Sequence, residues 1–240
     1  MDVFETWDHW TESPLGSWLL QQEQFWMDQS LEDVFGYNAI QIGPSKLDCL
    51  RSNRIQCKVR LCFSSEALPK LSDANTLLVS QEFLPFQPQT VDLFVLSHVL
   101  ELVKNPHQLL REVERILIPE GKLIICGFNP VSLWSVKRKL NQTDFVDGVK
   151  TWISISRLKD WCELLDLKIV GGHYSTYLPP VNSEKWINRF QWMENAGARW
   201  WPTAGAVYYL TAIKRNSCLN LVGPKKWRSP KFKKHTGWQP

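Results

Sequence analysis

The chain has 240 residues, 44% of them hydrophobic and 22% charged, which excludes a largely disordered chain and allows one large globular domain. Its net charge of +4 is exceeded by Lys225, Lys226, Arg228, Lys231, Lys233 and Lys234 alone, so the remainder is close to neutral and not a basic domain throughout. The longest apolar stretch, Val91 to Val103, is broken by Asp92, His98 and Glu101, too short and too polar to span a bilayer.

The first ten residues carry Asp2, Glu5 and Asp8 and no lysine or arginine, unlike a secretory signal. A cytoplasmic location is therefore expected, with no membrane association. The cysteines form no C-x-x-C pair, and reduced thiols are expected, several of them buried.

In chain order, Ser13 and Pro14 suit the cap and first position of a helix over about 14–35, with Gly36 just past its end. A short strand over 37–43 follows, then a helix over about 45–53 opened by the S-x-x-D pattern of Ser45 and Asp48. Further strands are expected around 57–62 and 76–80. Val91 to Ser97 is nearly continuous in apolar residues, as in a strand buried on both faces.

Asn105 and Pro106 then open a helix with Leu109, Leu110, Val113, Ile116 and Leu117 at helical spacing. A buried strand is expected over 122–127 and an irregular stretch over 129–153. Ser156 is expected to cap a helix bearing Leu158, Trp161, Cys162 and Leu165. Strands over 168–174 and 204–214, with a helix over about 184–196 between them, complete an alternation of strands and helices. That alternation predicts an α/β fold with a mostly parallel sheet and helices on both faces. Three segments result: a helical one over 1–36, a main domain over 37–215 and a basic tail over 216–240.

Leu84-Pro-Phe86, the run from Val91 to Glu101, and Leu110-Arg-Glu-Val-Glu-Arg-Ile-Leu-Ile-Pro-Glu-Gly-Lys-Leu-Ile-Ile125 form an ordered pattern. It resembles the second half of the core of the type 11 class I S-adenosylmethionine (SAM) dependent methyltransferases. Ser13 to Leu20, Gly127 to Trp134 and Ala196 to Tyr208 resemble a bacterial subgroup of that family whose substrate is undefined. The resemblance implies a Rossmann-like seven-stranded sheet, SAM as cofactor, and transfer of its methyl group to an acceptor, expected to be a small or hydrophobic molecule.

The resemblance also implies site residues. Gly43 stands at the first glycine of the cofactor loop, Ser64 at the end of the second strand beside the ribose, and Ser80 and Gln81 at the adenine. Ser97 and His98 fall beside the methionine moiety, where His98 is expected at the mouth of the site, holding the acceptor or taking its proton. No metal is expected.

The pattern has three departures. Pro44, Ser45 and Lys46 follow Gly43 with no second glycine, Ser64 and Ser65 stand where an acid belongs, and Ser80 replaces an aspartate. Weak SAM binding for the class follows. Two functions therefore remain open: methyl transfer, and a binding or scaffold protein that keeps the fold without strong cofactor binding. The late tryptophans, Trp186, Trp192, Trp200 and Trp201, could pack in the core or form an aromatic wall for an acceptor. The basic tail, with Trp227 and Trp238, could be a solvated segment or a nucleic-acid arm.

Overall fold

Seven strands form one twisted layer, and the helices cover its two faces. The structure is a computed structural model that describes residues 3–63, 75–141, 149 and 151–215. Ser64 and the basic tail over 216–240 lie outside the described residues.

The strands are β1 (Asn38–Ile42), β2 (Cys57–Cys62), β3 (Thr76–Leu78), β4 (Val91–Ser97), β5 (Leu117–Phe128), β6 (Leu167–Ser175) and β7 (Val207–Lys214). Their order across the sheet is β3-β2-β1-β4-β5-β7-β6. β7 runs antiparallel to both neighbours, and the other pairs are parallel. The fold is the Rossmann-like α/β arrangement expected from the sequence, with the switch point of its connections between β1 and β4.

The period-2 alternation of β4 and β5 divides the core. Leu93, Val95, Ile124, Cys126 and Phe128 face one cluster, built with α1 (Val3–Trp10), α2 (Pro14–Leu31) and α4 (Leu133–Asn141). Phe94, Leu96, Leu123 and Ile125 face the other, built with α3 (Pro106–Ile116) and α5 (Ile155–Leu164). Trp7, Leu19, Met27 and Leu31 pack in the same cluster as Ala39 and Leu93. The N-terminal helical segment thus shares the core of the main domain.

Ser13 caps α2 by accepting from Gly16 N–H, but the helix stops at Leu31 because Asn53 Nδ2 donates to the carbonyls of Leu31 and Val34. Three further expectations are corrected. Residues 45–53 form turns and not a helix, since side chains satisfy the backbone that a helix would pair. Gln41 bonds Leu47 O and Leu50 N, Gln24 bonds Asp48 O and N, and Ser45 N donates to Asp8. Ser154 caps α5 in place of Ser156. The late helix is two, α6 (Glu184–Phe190) and α7 (Trp192–Trp200).

Candidate functional site

Ligands in open α/β sheets bind outside the carboxyl ends of the strands, at the switch point. That point here is flanked by Gly43 after β1 and Ser97 at the end of β4. A Cβ on Gly43 would meet Ser97 Cβ at 3.0 Å and its carbonyl oxygen at 3.3 Å. Glycine at this position lets β1 and β4 finish close together. Ser80 and Gln81, after β3, lie at the same edge of the sheet. Ser80 is exposed and Gln81 half-buried, with Gln81 Oε1 accepting from Lys104 N at 3.4 Å.

His98 follows β4 directly and has a left-handed backbone, φ 55°, uncommon for a residue with a Cβ. It is 0% exposed. His98 Nε2 is 2.6 Å from Glu23 Oε1 of α2, and Nδ1 is 3.4 Å from Glu101 Oε2. Trp7 of α1 and Phe128 of β5 pack their rings against it, with centroids 4.8 and 4.4 Å away. Ser97, 1% exposed, points its hydroxyl at the second oxygen of Glu23.

The expected place of His98 at the mouth of the site is therefore corrected. It lies in the interior beneath α1 and α2, where no acceptor reaches it. Burial alone would push its pKa down, but the Glu23 charge, with the Cys126 thiol and the Glu101 hydrogen bond, holds it well above the ordinary histidine value. A histidine so held keeps its proton near neutral pH and is unsuited to act as a base there.

Cys126 completes this cluster. Its Sγ lies 3.5 Å from His98 Nε2 and 3.7 Å from Glu23 Oε1, and burial, then the Glu23 charge, push its pKa to about 12. None of Glu23, Glu101 and Cys126 is among the site residues expected from the sequence. A signal for Glu23 existed, because Leu19, Glu23, Met27 and Leu31 repeat every four residues. An acid on that stripe must face the core.

Downstream, Glu194 of α7 accepts from the backbone N–H groups of Thr176, Tyr177 and Leu178. It fixes the chain as it leaves β6. The connection through α6 and α7 emerges at the same sheet edge as the ends of β4 and β5. Trp186, Trp192, Trp200 and Trp201 are all exposed there, so they are surface residues and not core.

Residues 56–125 match the family model of a methyltransferase domain, type 11. Over that stretch the chain is similar to this methyltransferase domain. Over 236 residues it is 25% identical to the uncharacterized protein YafS of Escherichia coli (strain K12), covering 96% of this chain and 90% of that one. A SAM-dependent methyltransferase of Thermotoga maritima, a possible histamine N-methyltransferase, superposes with a TM-score of 0.61 at 14% identity, covering 89% of this chain and 100% of that one. A SAM-dependent methyltransferase from Archaeoglobus fulgidus superposes at 0.60 with 15% identity, covering 81% and 94%. The structural similarities establish the fold, and none of the comparisons identifies an acceptor. Among the described residues, no helix is long and apolar enough to cross a membrane.

The two ends of the SAM site expected from the sequence differ in exposure. Ser80 and Gln81, expected beside the adenine, are exposed and half-buried, respectively. At the methionine side, Ser97 and His98 are sealed by Trp7 and Glu23, and Gly43 faces Ser97 across a van der Waals contact. A hollow of 440 Å³ at this end of the sheet, lined by residues that include Leu100, Lys104, His107, Ile153 and Trp161, reaches none of Gly43, Ser97 or His98. Among the described residues, α1 and α2 thus cover Ser97 and His98 at this end of the sheet.

Proposed function

We propose that the protein transfers a methyl group from SAM to a small or hydrophobic acceptor, and that it binds SAM weakly for its class. The observation that carries this reading is the meeting of Gly43 and Ser97 at the switch point of a type 11 methyltransferase sheet, with Ser80 and Gln81 open at the same edge. Bound SAM would supply an electrophilic methyl group, and this chain's own residues would position and shield it. Ser80 and Gln81 are the proposed adenine contacts, and Ser64 the proposed ribose contact. Gly43 and Ser97 border the methionine end.

The exposed tryptophans of the α6–α7 connection support a hydrophobic acceptor, since aromatic surface gives flat or apolar molecules contact area. Trp186 stacks on Phe190, with ring centroids 5.7 Å apart, so part of this surface is already ordered. Replacing Trp192 and Trp200 with alanine is expected to raise the KM for the acceptor and leave cofactor affinity unchanged.

A second reading, a methyltransferase fold kept for binding without strong cofactor affinity, is favoured by the sealed methionine end. Calorimetric titration of the full chain with S-adenosylhomocysteine separates the two. Measurable heat and a raised melting temperature support methyl transfer, and acceptors can then be screened with labelled SAM. No heat and no shift at millimolar ligand would assign the second reading.

A further inference from the structure

Three side chains from separate parts of the chain converge beneath α1. They are Glu23 from α2, His98 from the end of β4 and Cys126 from β5, all buried, with one donor atom of each within 4.8 Å of the others. In a tetrahedral zinc site the metal lies about 2.3 Å from sulfur and about 2.0–2.2 Å from nitrogen or oxygen. Those lengths put sulfur roughly 3.6 Å from the other donors, and nitrogen roughly 3.4 Å from oxygen. The observed sulfur edges are 3.5 Å to His98 Nε2 and 3.7 Å to Glu23 Oε1. Only the third edge, the 2.6 Å hydrogen bond between His98 and Glu23, must open, by somewhat under ~1 Å.

We propose that Glu23, His98 and Cys126 form a closed site for a zinc ion that ties α2 to the ends of β4 and β5. Sulfur with imidazole selects zinc or a similar transition ion over magnesium or calcium, which prefer oxygen donors. The surroundings are those of a built site. His98 Nδ1 faces Glu101, and Glu101 in turn accepts from the backbone N–H of Phe128. A carboxylate of this kind fixes the ring so that the other nitrogen points at the metal. The left-handed backbone of His98 and the rings of Trp7 and Phe128 hold it in that pose. Ser97 Oγ, 3.5 Å from the second oxygen of Glu23, is at hand as a further oxygen. Binding displaces the Nε2 proton of His98 and the thiol proton of Cys126 to solvent, while the Nδ1 proton stays on His98, donated to Glu101.

The test uses the full chain, reconstituted with zinc and desalted, then read by elemental mass spectrometry. In parallel, cobalt(II) loading is read by its thiolate charge-transfer absorption. The wild type and Cys162→Ser, a buried cysteine in the opposite core cluster, are expected to hold one metal ion and show the cobalt band. Cys126→Ser and Glu23→Gln should lose both, and Glu101→Gln should weaken binding about 10–100-fold. A wild-type protein that is folded by circular dichroism yet shows no cobalt band, or keeps no more zinc than Cys126→Ser, overturns the proposal. That outcome does not depend on whether a ligand variant folds. Metal content and S-adenosylhomocysteine binding are separate measurements, so this proposal can fail without the methyl-transfer reading.

Discussion

Glu23 and His98 show no solvent exposure, so each group relies on the other for what water would otherwise supply. In the metal-free protein, Glu23→Gln leaves the imidazolium buried without its charged partner, which is expected to cost about 3–5 kcal/mol; urea unfolding measures it. The pair also sets a pH dependence. Because the folded pKa of His98 is raised, its contribution to stability is complete below about pH 6.5, the unfolded value. It is lost as pH rises through the folded value. Chelator-treated wild type should therefore lose stability on the alkaline side, and Glu23→Gln should flatten that slope. Gly43 makes a sharper contrast between two roles. Alanine there presses on Ser97 Cβ and carbonyl and should destabilise by roughly 1–3 kcal/mol. If the glycine served the cofactor alone, thermal melting without ligand would not change. In the sequence, Gly43 stands out as a loop glycine, but its close neighbour Ser97 lies far along the chain, so the reason for the glycine could not be read there.

At the level of elements, local rules located most of the sheet. Val91 to Ser97 forms β4 with the expected bounds, because a strand buried on both faces must be apolar throughout. Pro106 opens α3 where its fixed φ suits a first turn. The failures came where distant side chains replaced local hydrogen bonds, as Gln24, Gln41 and Asp8 do around 45–53. α1 was missed for a related reason. It is eight residues long, too short to hold by itself in water, and it is kept by burying Trp7, 1% exposed, against His98 and Phe128. Trp7→Ala is accordingly expected to cost about 3–5 kcal/mol, measured by chemical denaturation. Ser13→Ala, which removes only the cap of α2, should cost about 1 kcal/mol.

For the whole molecule, ligand binding and truncation are the informative experiments. At about 100 times its dissociation constant, S-adenosylhomocysteine should stabilise the fold by about 2.7 kcal/mol, visible as a rise in melting temperature. Deletion of 223–240 is expected to leave that stabilisation and the domain's own melting unchanged. If the intact chain binds DNA or RNA with a steep salt dependence and the shortened one does not, the basic segment is a nucleic-acid arm. The sequence by itself determined the layer architecture, the order of the strands along the chain, and the type 11 resemblance, because periodicity and turn residues act over a few neighbours. It also located Gly43, Ser80, Gln81 and Ser97 at strand ends. Only the tertiary structure decided that α1 and α2 fold over Ser97 at the end of β4, and that His98 is an interior group. Only it showed that Glu23, His98 and Cys126, separated by 75 and 28 positions, meet within one coordination sphere. Such meetings arise from helix and sheet packing across the core, which no local pattern encodes.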